Sequence, residues 1–180
     1  KFFIDRMKVD NLYRHGFQLY EEQIATYLKE NYSGISKIEF SPIFKSGGSG
    51  EGFVYARIAP VVYDTYGNKV YLRNDGVLKM GVADYEMVAG IDLDFNVNDG
   101  SEIIYLRNDQ KESISVESYQ NLPDELKLNK DEITDEVMEA FSREGHLKGV
   151  EKNDQGSPQA EIVYNLEIRR VQGREAFEWK

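Results

Sequence analysis

Leu19–Phe40, LYEEQIATYLKENYSGISKIEF, reads as an amphipathic helix, a glycine-bearing stop and the first strand of a sheet. Apolar and aromatic residues at Val9, Leu12, Tyr13, Phe17, Tyr20, Ile24, Tyr27 and Leu28 recur at steps of three and four, which places them on one face of a helix. The opposite face carries Asp10, Arg14, Glu21, Glu22 and Lys29, which suits water. Gly16 costs about 1 kcal/mol relative to alanine in a helix interior, so the helix is expected to kink there or to start after it. Asn31, Ser33 and Gly34 supply the stop, with Gly34 as a left-handed cap. Lys37 and Glu39 then alternate with Ile38 and Phe40 at the two-residue period of a strand, and Ile35 is assigned to the turn.

Working outward, hairpin signals follow. A strand over 37–44 leads through the flexible SGGSGEG loop (46–52) to a strand from Phe53 to Tyr63, in which Pro60 points to an edge position or a bulge. Asp64–Asn68 is a turn and Lys69–Asn74 the return; another strand is expected within 77–89. Ile91, Leu93, Phe95 and Val97 alternate with Asp92, Asp94 and Asn96, and Asn98-Asp99-Gly100 is a hairpin turn before a returning strand at Glu102–Arg107. A short helical turn follows Pro123. Asn129 and Glu132 have the spacing of a capping box for a second, acidic helix whose stripe is Ile133, Val137, Ala140 and Phe141, ending near Gly145. Ala160–Val171 reads as a last strand, with Phe177 and Trp179 packing on the body. The pattern is α+β: an N-terminal amphipathic helix on a mainly antiparallel, hairpin-built sheet, plus the acidic helix. Its length suits a single domain over 1–180.

Composition closes off several classes. No cysteine exists, so there is no disulfide framework or thiolate zinc site. No apolar run reaches membrane-span length. Residues 1–90 hold 11 basic and 11 acidic side chains, whereas 91–180 hold 11 basic and 21 acidic, so the whole net charge of −10 lies in the second half. Such a surface repels phosphate backbones, and nucleic acid is excluded as a partner.

The candidate chemistry is sparse. The Gly47–Gly52 loop lacks the lysine and hydroxyl of a phosphate-binding loop and precedes a strand, so it reads as a hairpin connection. Two histidines, His15 and His146, argue against a multi-histidine metal site, and no nucleophile elbow supports a hydrolase triad. Asp92, Asp94, Asn96 and Asp99 offer hard oxygen ligands that suit calcium. They do not have EF-hand spacing, because counting from Asp94 puts Asp99 where the glycine belongs, and a wet strand face is the plainer reading. The run YLRND occurs twice, at Tyr71–Asp75 and Tyr105–Asp109. Either these are two equivalent surface motifs, offering Tyr71, Arg73, Tyr105 and Arg107 to a ligand, or they are two similar hairpins of one sheet. The twelve tyrosines can serve a binding face or the core.

The run Gln23–Tyr32 (QIATYLKENY), followed by Ile35 and Lys37–Phe40 (KIEF), resembles the start of small, little-characterised lipoprotein ectodomains of Gram-positive bacteria. The similarity covers roughly residues 18–44 and brings no catalytic residues. It implies attachment to the outer face of the cell membrane through an N-terminal lipidated cysteine lying before Lys1, with residues 1–8 a remnant of the tether. A start at Lys1 without methionine fits a mature or trimmed form. The expected function is that of a non-enzymatic surface protein binding an envelope ligand or protein through its sheet or loops, without a cofactor unless calcium. A carboxylate-based envelope hydrolase is the alternative; it requires two close carboxylates in a cleft, one with a raised pKa.

Overall fold

Helix α1 runs unbroken from Phe2 to Asn31 through a buried Gly16, so the expected kink or late start does not occur. In the computed structural model the described residues are 2–47, 54–72, 91–95 and 102–170. Residues 2–8 therefore belong to the helix. Tyr13, Phe17, Tyr20, Ile24, Tyr27 and Leu28 are all buried, as their spacing requires. Each apolar side chain so buried contributes roughly 1.5–3 kcal/mol.

The polar face is where expectation fails. Glu21 is fully buried and Asp10 is largely covered. Two irregular segments lie along α1 and use its polar side chains as hydrogen-bond partners. On one side Asp10 holds Arg170 at 2.8 Å, Arg14 Nε donates to the Leu166 carbonyl at 3.3 Å, and Glu21 Oε1 accepts from Asn165 N–H at 3.0 Å. On the other, His15 Nε2 lies 2.8 Å from the Val116 carbonyl, Gln18 donates to the Gln120 carbonyl, Glu22 accepts from Leu122 N–H, and Gln23 Nε2 donates to the Leu126 carbonyl at 2.7 Å. Buried backbone groups outside a ladder need such partners.

The strands are β1 (Tyr32–Ser33), β2 (Ile35–Phe40), β3 (Ile43–Gly47), β4 (Val54–Arg57), β5 (Pro60–Asp64), β6 (Lys69–Tyr71), β7 (Ile91–Phe95), β8 (Glu102–Arg107), β9 (Ser113–Ser115), β10 (Glu151–Lys152), β11 (Glu161–Val163) and β12 (Ile168–Arg170). They form sheets ordered β11-β2-β5-β6, β12-β3-β4 and β7-β8-β9, with a small β1-β10 pair. All pairings are antiparallel except β11 on β2 and β12 on β3. The first two sheets continue one another through β2–β3, β4–β5 and β11–β12, each pair broken at the same level. At the break Ser41 N–H donates to the Ala59 carbonyl at 3.0 Å, Ser41 Oγ accepts from Ala59 N–H at 2.8 Å, and Ile43 N–H donates to Glu167 O at 2.7 Å.

Several expectations are corrected by this arrangement. The strand expected over 37–44 is two strands. Ile35 belongs to β2, with a bulge before Lys37. The last strand is split at 164–167. Pro60 sits in a central strand but at its first position, where a missing N–H is tolerated. The strand within 77–89, the Asn98–Gly100 turn, residues 48–52 of the SGGSGEG loop, Phe177 and Trp179 lie outside the described residues.

Helix α2 spans Glu132–Arg143. Its N-cap is Asp131, not Asn129: the buried Asp131 carboxylate accepts from Thr134 N–H at 3.1 Å and from Thr134 Oγ1 at 2.6 Å. Asn129 is instead bound to Asp109 through both its N–H and its side-chain amide. Val137, Met138, Ala140 and Phe141 are buried, and the helix stops at Gly145 as its sequence indicates. α1, the first two sheets, β8 and α2 share one core that joins Phe17 and Ile24 to Phe40, Val62, Leu106 and Val137.

Candidate functional site

The C-terminal turn of α1 is finished by the loop 153–158. Lys29 O accepts from Ser157 N–H at 2.7 Å, and Asn31 O accepts from Asn153 N–H at 2.9 Å. The buried Ser157 hydroxyl donates to the Tyr32 carbonyl at 2.6 Å and accepts from Ile35 N–H at 3.0 Å, fixing the passage from helix to sheet. Gly156 has φ +64°, and a Cβ there would lie 2.3 Å from the Lys29 carbonyl oxygen. Only glycine lets the loop come this close.

Beside this junction opens a cleft of about 740 Å³. One wall is the end of α1 (Thr26, Lys29, Glu30, Asn31), another is Leu128 and Asn129, and the third is Asp154, Gln155, Pro158 and Ile162. The lining thus combines three aliphatic side chains, Leu128, Pro158 and Ile162, with three amides, one hydroxyl and three charges. Among the described residues none of Lys29, Glu30 and Asp154 is held in an ion pair. Its volume falls in the range of small-molecule clefts, with a lining more polar than is usual for them.

The walls are stiffened from behind. Asp135, in the first turn of α2, accepts from Tyr27 Oη at 2.8 Å, Tyr32 Oη at 2.5 Å and Lys152 Nζ at 2.5 Å. Burial and the Asp135 carboxylate raise both phenol pKa values, so each hydroxyl keeps its proton and remains a donor. The end of α1, the start of α2 and β10 are pinned together at one carboxylate.

A second feature is Glu21. Burial pushes its carboxyl up to about 9 against the Asn165 N–H bond, and the neighbouring Glu22 adds repulsion. Its Oε2 has no hydrogen-bond partner among the described residues. The group is sealed under the 164–167 segment and does not line the cleft.

The residues singled out from sequence lie elsewhere. Tyr71 ends β6 at the rim of its sheet, with the Lys69 ammonium 5.6 Å from its ring centre. Tyr105 sits in β8, the middle strand of a different sheet, paired with Asp92 and Ser115. Arg107 ends β8, its carbonyl accepting from Gln23 Nε2 at 3.1 Å, and Arg73 lies outside the described residues. Tyr71 and Tyr105, the first residues of the two YLRND copies, therefore belong to different sheets. What they share is a buried leucine, Leu72 and Leu106.

A turn equivalence does exist, but one step away. Asp64 accepts from Tyr66 and Asn68 N–H, and Asn108 accepts from Gln110 and Glu112 N–H, at the same offsets. Burial opposes ionisation of Asp64, but hydrogen bonds from Asn68, Lys148 and Tyr66 outweigh it and hold the carboxyl below its ordinary range. Gly67 fills the left-handed position of the first turn and Lys111, at φ 62°, that of the second.

Asp92 and Asp94 lie on β7 opposite Tyr105 and Ile103, while Asn96 and Asp99 fall outside the described residues. No group of three or more His, Cys, Asp or Glu that could hold a metal occurs among the described residues. Nor, among them, is any helix long and apolar enough to cross a membrane. The chain matches no protein-family model, no curated protein and no solved structure.

The cleft had no sequence signal as a unit, since its walls come from three separated segments. The one local hint was the turn-rich stretch 153–158, with its glycine and amides.

Proposed function

We propose that this chain is a non-enzymatic ligand-binding domain whose site is the cleft at the C-terminal end of α1. The observation that carries this reading is the construction of the cleft. Its walls at the end of α1 and in the 153–158 loop are joined by the buried Ser157 hydroxyl, and the end of α1 is tied to α2 through the Tyr27–Asp135–Tyr32 network, so these walls stand before a ligand arrives. Preorganisation lowers the ordering cost of binding.

The resemblance of residues 18–44 to lipoprotein ectodomains supplies the setting: display on the outer face of a Gram-positive membrane, facing envelope ligands. Two measurements test the two halves. Fatty-acid labelling of the full-length protein in cells should place label in the membrane fraction; cytosolic, unlabelled protein removes the setting. Titration of the isotope-labelled domain with solubilised cell-wall fragments should move backbone amide signals of Thr26, Asn31, Asn129 and Gln155 together. Shifts confined to β6 and β8 would instead return the site to Tyr71 and Tyr105.

The alternative of an envelope hydrolase draws on the raised pKa of Glu21 beside Glu22. A general acid must come within hydrogen-bond reach of the leaving oxygen. With 0% of Glu21 exposed, that requires the 164–167 segment to lift. Release of reducing ends from peptidoglycan, abolished by Glu21→Gln, would put this reading first.

A further inference from the structure

Between β11 and β12 the chain crosses α1 as residues 164–167, a strap that belongs to neither sheet. Its backbone is held from outside at three points. Asn165 N–H donates to Glu21 Oε1 at 3.0 Å, the Leu166 carbonyl accepts from Arg14 Nε at 3.3 Å, and Glu167 O accepts from Ile43 N–H at 2.7 Å. The Tyr164 ring is stacked on Phe40 yet 46% exposed, and Leu166 packs partly buried against the core. Two of the three bonds therefore end on α1, and the shorter of these ends on a fully buried carboxyl.

That carboxyl has nowhere to put a charge. Its second oxygen has no partner among the described residues, and no cation among them is paired with it. From its own helix the Glu22 carboxylate repels it, and from the strap the Tyr164 phenol faces both carboxyls. The neighbouring cations are turned elsewhere: Arg14 to Leu166 O and Asn11, Arg169 to Glu167, and Arg170 and Lys45 to Asp10. An ionised Glu21 under the closed strap would meet one N–H alone, and a buried charge without a counter-ion is heavily disfavoured. Lifting the strap breaks three hydrogen bonds and unstacks one half-exposed ring, after which water reaches the carboxylate. Openings of this size lie well below global unfolding in free energy.

We propose that residues 164–167 form a proton-held strap, which lies on α1 while Glu21 is protonated and lifts when Glu21 ionises, with the rest of the domain still folded. Burial, with Glu22 adding repulsion, moves the closed-state carboxyl from its ordinary 4.5 to about 9, and hydration in the lifted state returns it to the ordinary value. The closed strap is thus fully favoured below pH 4.5 and progressively loses that advantage as pH rises toward 9.

The chain has no cysteine, so one introduced thiol reports one place. Leu166→Cys is reacted with a thiol-reactive dye in the native, Glu21→Gln and Tyr164→Phe backgrounds, at dye concentrations where the rate stays first order in dye. Each rate is divided by that of a short peptide with the same thiol, which cancels the thiol's own ionisation. Val137→Cys, at a buried position on α2, reports opening of the whole domain. From pH 6 to pH 8 the Leu166→Cys ratio is expected to rise about a hundredfold, tenfold per pH unit, because the lifted form has released a proton that the closed form keeps. Glu21→Gln is expected to leave the ratio flat, and Tyr164→Phe to leave the rise intact. At pH 8 Val137→Cys is expected to label more slowly than Leu166→Cys and with a steeper urea dependence. A ratio that is flat with pH in the native background overturns the inference. So does a rise that persists in Glu21→Gln, or one that vanishes in Tyr164→Phe and so belongs to the phenol. Equal rates and equal urea dependence at the two thiols also overturn it, because the whole domain is then opening.

Discussion

Glu21→Gln should make this protein more stable at neutral pH, although it touches a fully buried side chain. Folding moves the Glu21 carboxyl from its ordinary value of 4.5 to about 9. Between those values the folded chain keeps a proton that the unfolded chain has released, so this group's contribution is complete below pH 4.5 and declines as pH rises toward 9. At about 1.36 kcal/mol per pH unit the deficit is roughly 3 kcal/mol at pH 7 and about 1 kcal/mol at pH 5.5. Glutamine has the same shape, its Oε1 can still accept from Asn165 N–H, and it never ionises. The other titrating groups are common to both chains and cancel in the difference. Thermal melts of both chains from pH 5.5 to 8.5 should therefore diverge with rising pH, the variant gaining about 6–12 °C in Tm at pH 7 for a chain of this size. A stability difference that does not change with pH, or a variant that is weaker throughout, would refute the account of Glu21 as a buried neutral acid.

Other outcomes follow from the same geometry. Gly34→Ala should cost about 3 kcal/mol or more in a denaturant melt, since its backbone is at φ +84° and the new Cβ would lie 1.9 Å from the Gly149 carbonyl oxygen. Asp135→Ala leaves two phenol hydroxyls without their acceptor and should cost about 2–4 kcal/mol, measured by urea unfolding. Lys111→Gly relieves a left-handed lysine at φ 62° in an exposed turn and should raise stability by about 0.5–1 kcal/mol, visible as a small rise in Tm.

The parts of the fold legible in sequence were those with a local period. The three- and four-residue spacing of Tyr13 to Leu28 located the buried stripe of α1, and alternation with turn residues located the hairpins β5–β6 and β7–β8. What was not legible is long-range in origin. Glu21 has the spacing of a solvent-facing residue and is buried because the 164–167 segment, 144 residues away in sequence at Asn165, lies on it. The break in the last strand lies level with the break at Ser41 and Ala59, a match that no single stretch encodes. Asn129 and Glu132 had capping spacing, yet Asp131 took the cap because its carboxylate reaches both donors of Thr134. The cleft was invisible for the same reason, being assembled from residues 26–31, 128–129 and 154–162.

The most direct test of the central claim is to fill the cleft. Thr26→Trp places an indole between the walls from a half-exposed position on α1, and cosedimentation with purified Gram-positive cell envelopes then compares it with the native chain. The account predicts that the native domain sediments and that the variant, with unchanged circular dichroism and melting temperature, stays in the supernatant. A folded Thr26→Trp domain that sediments as well as the native one would contradict it.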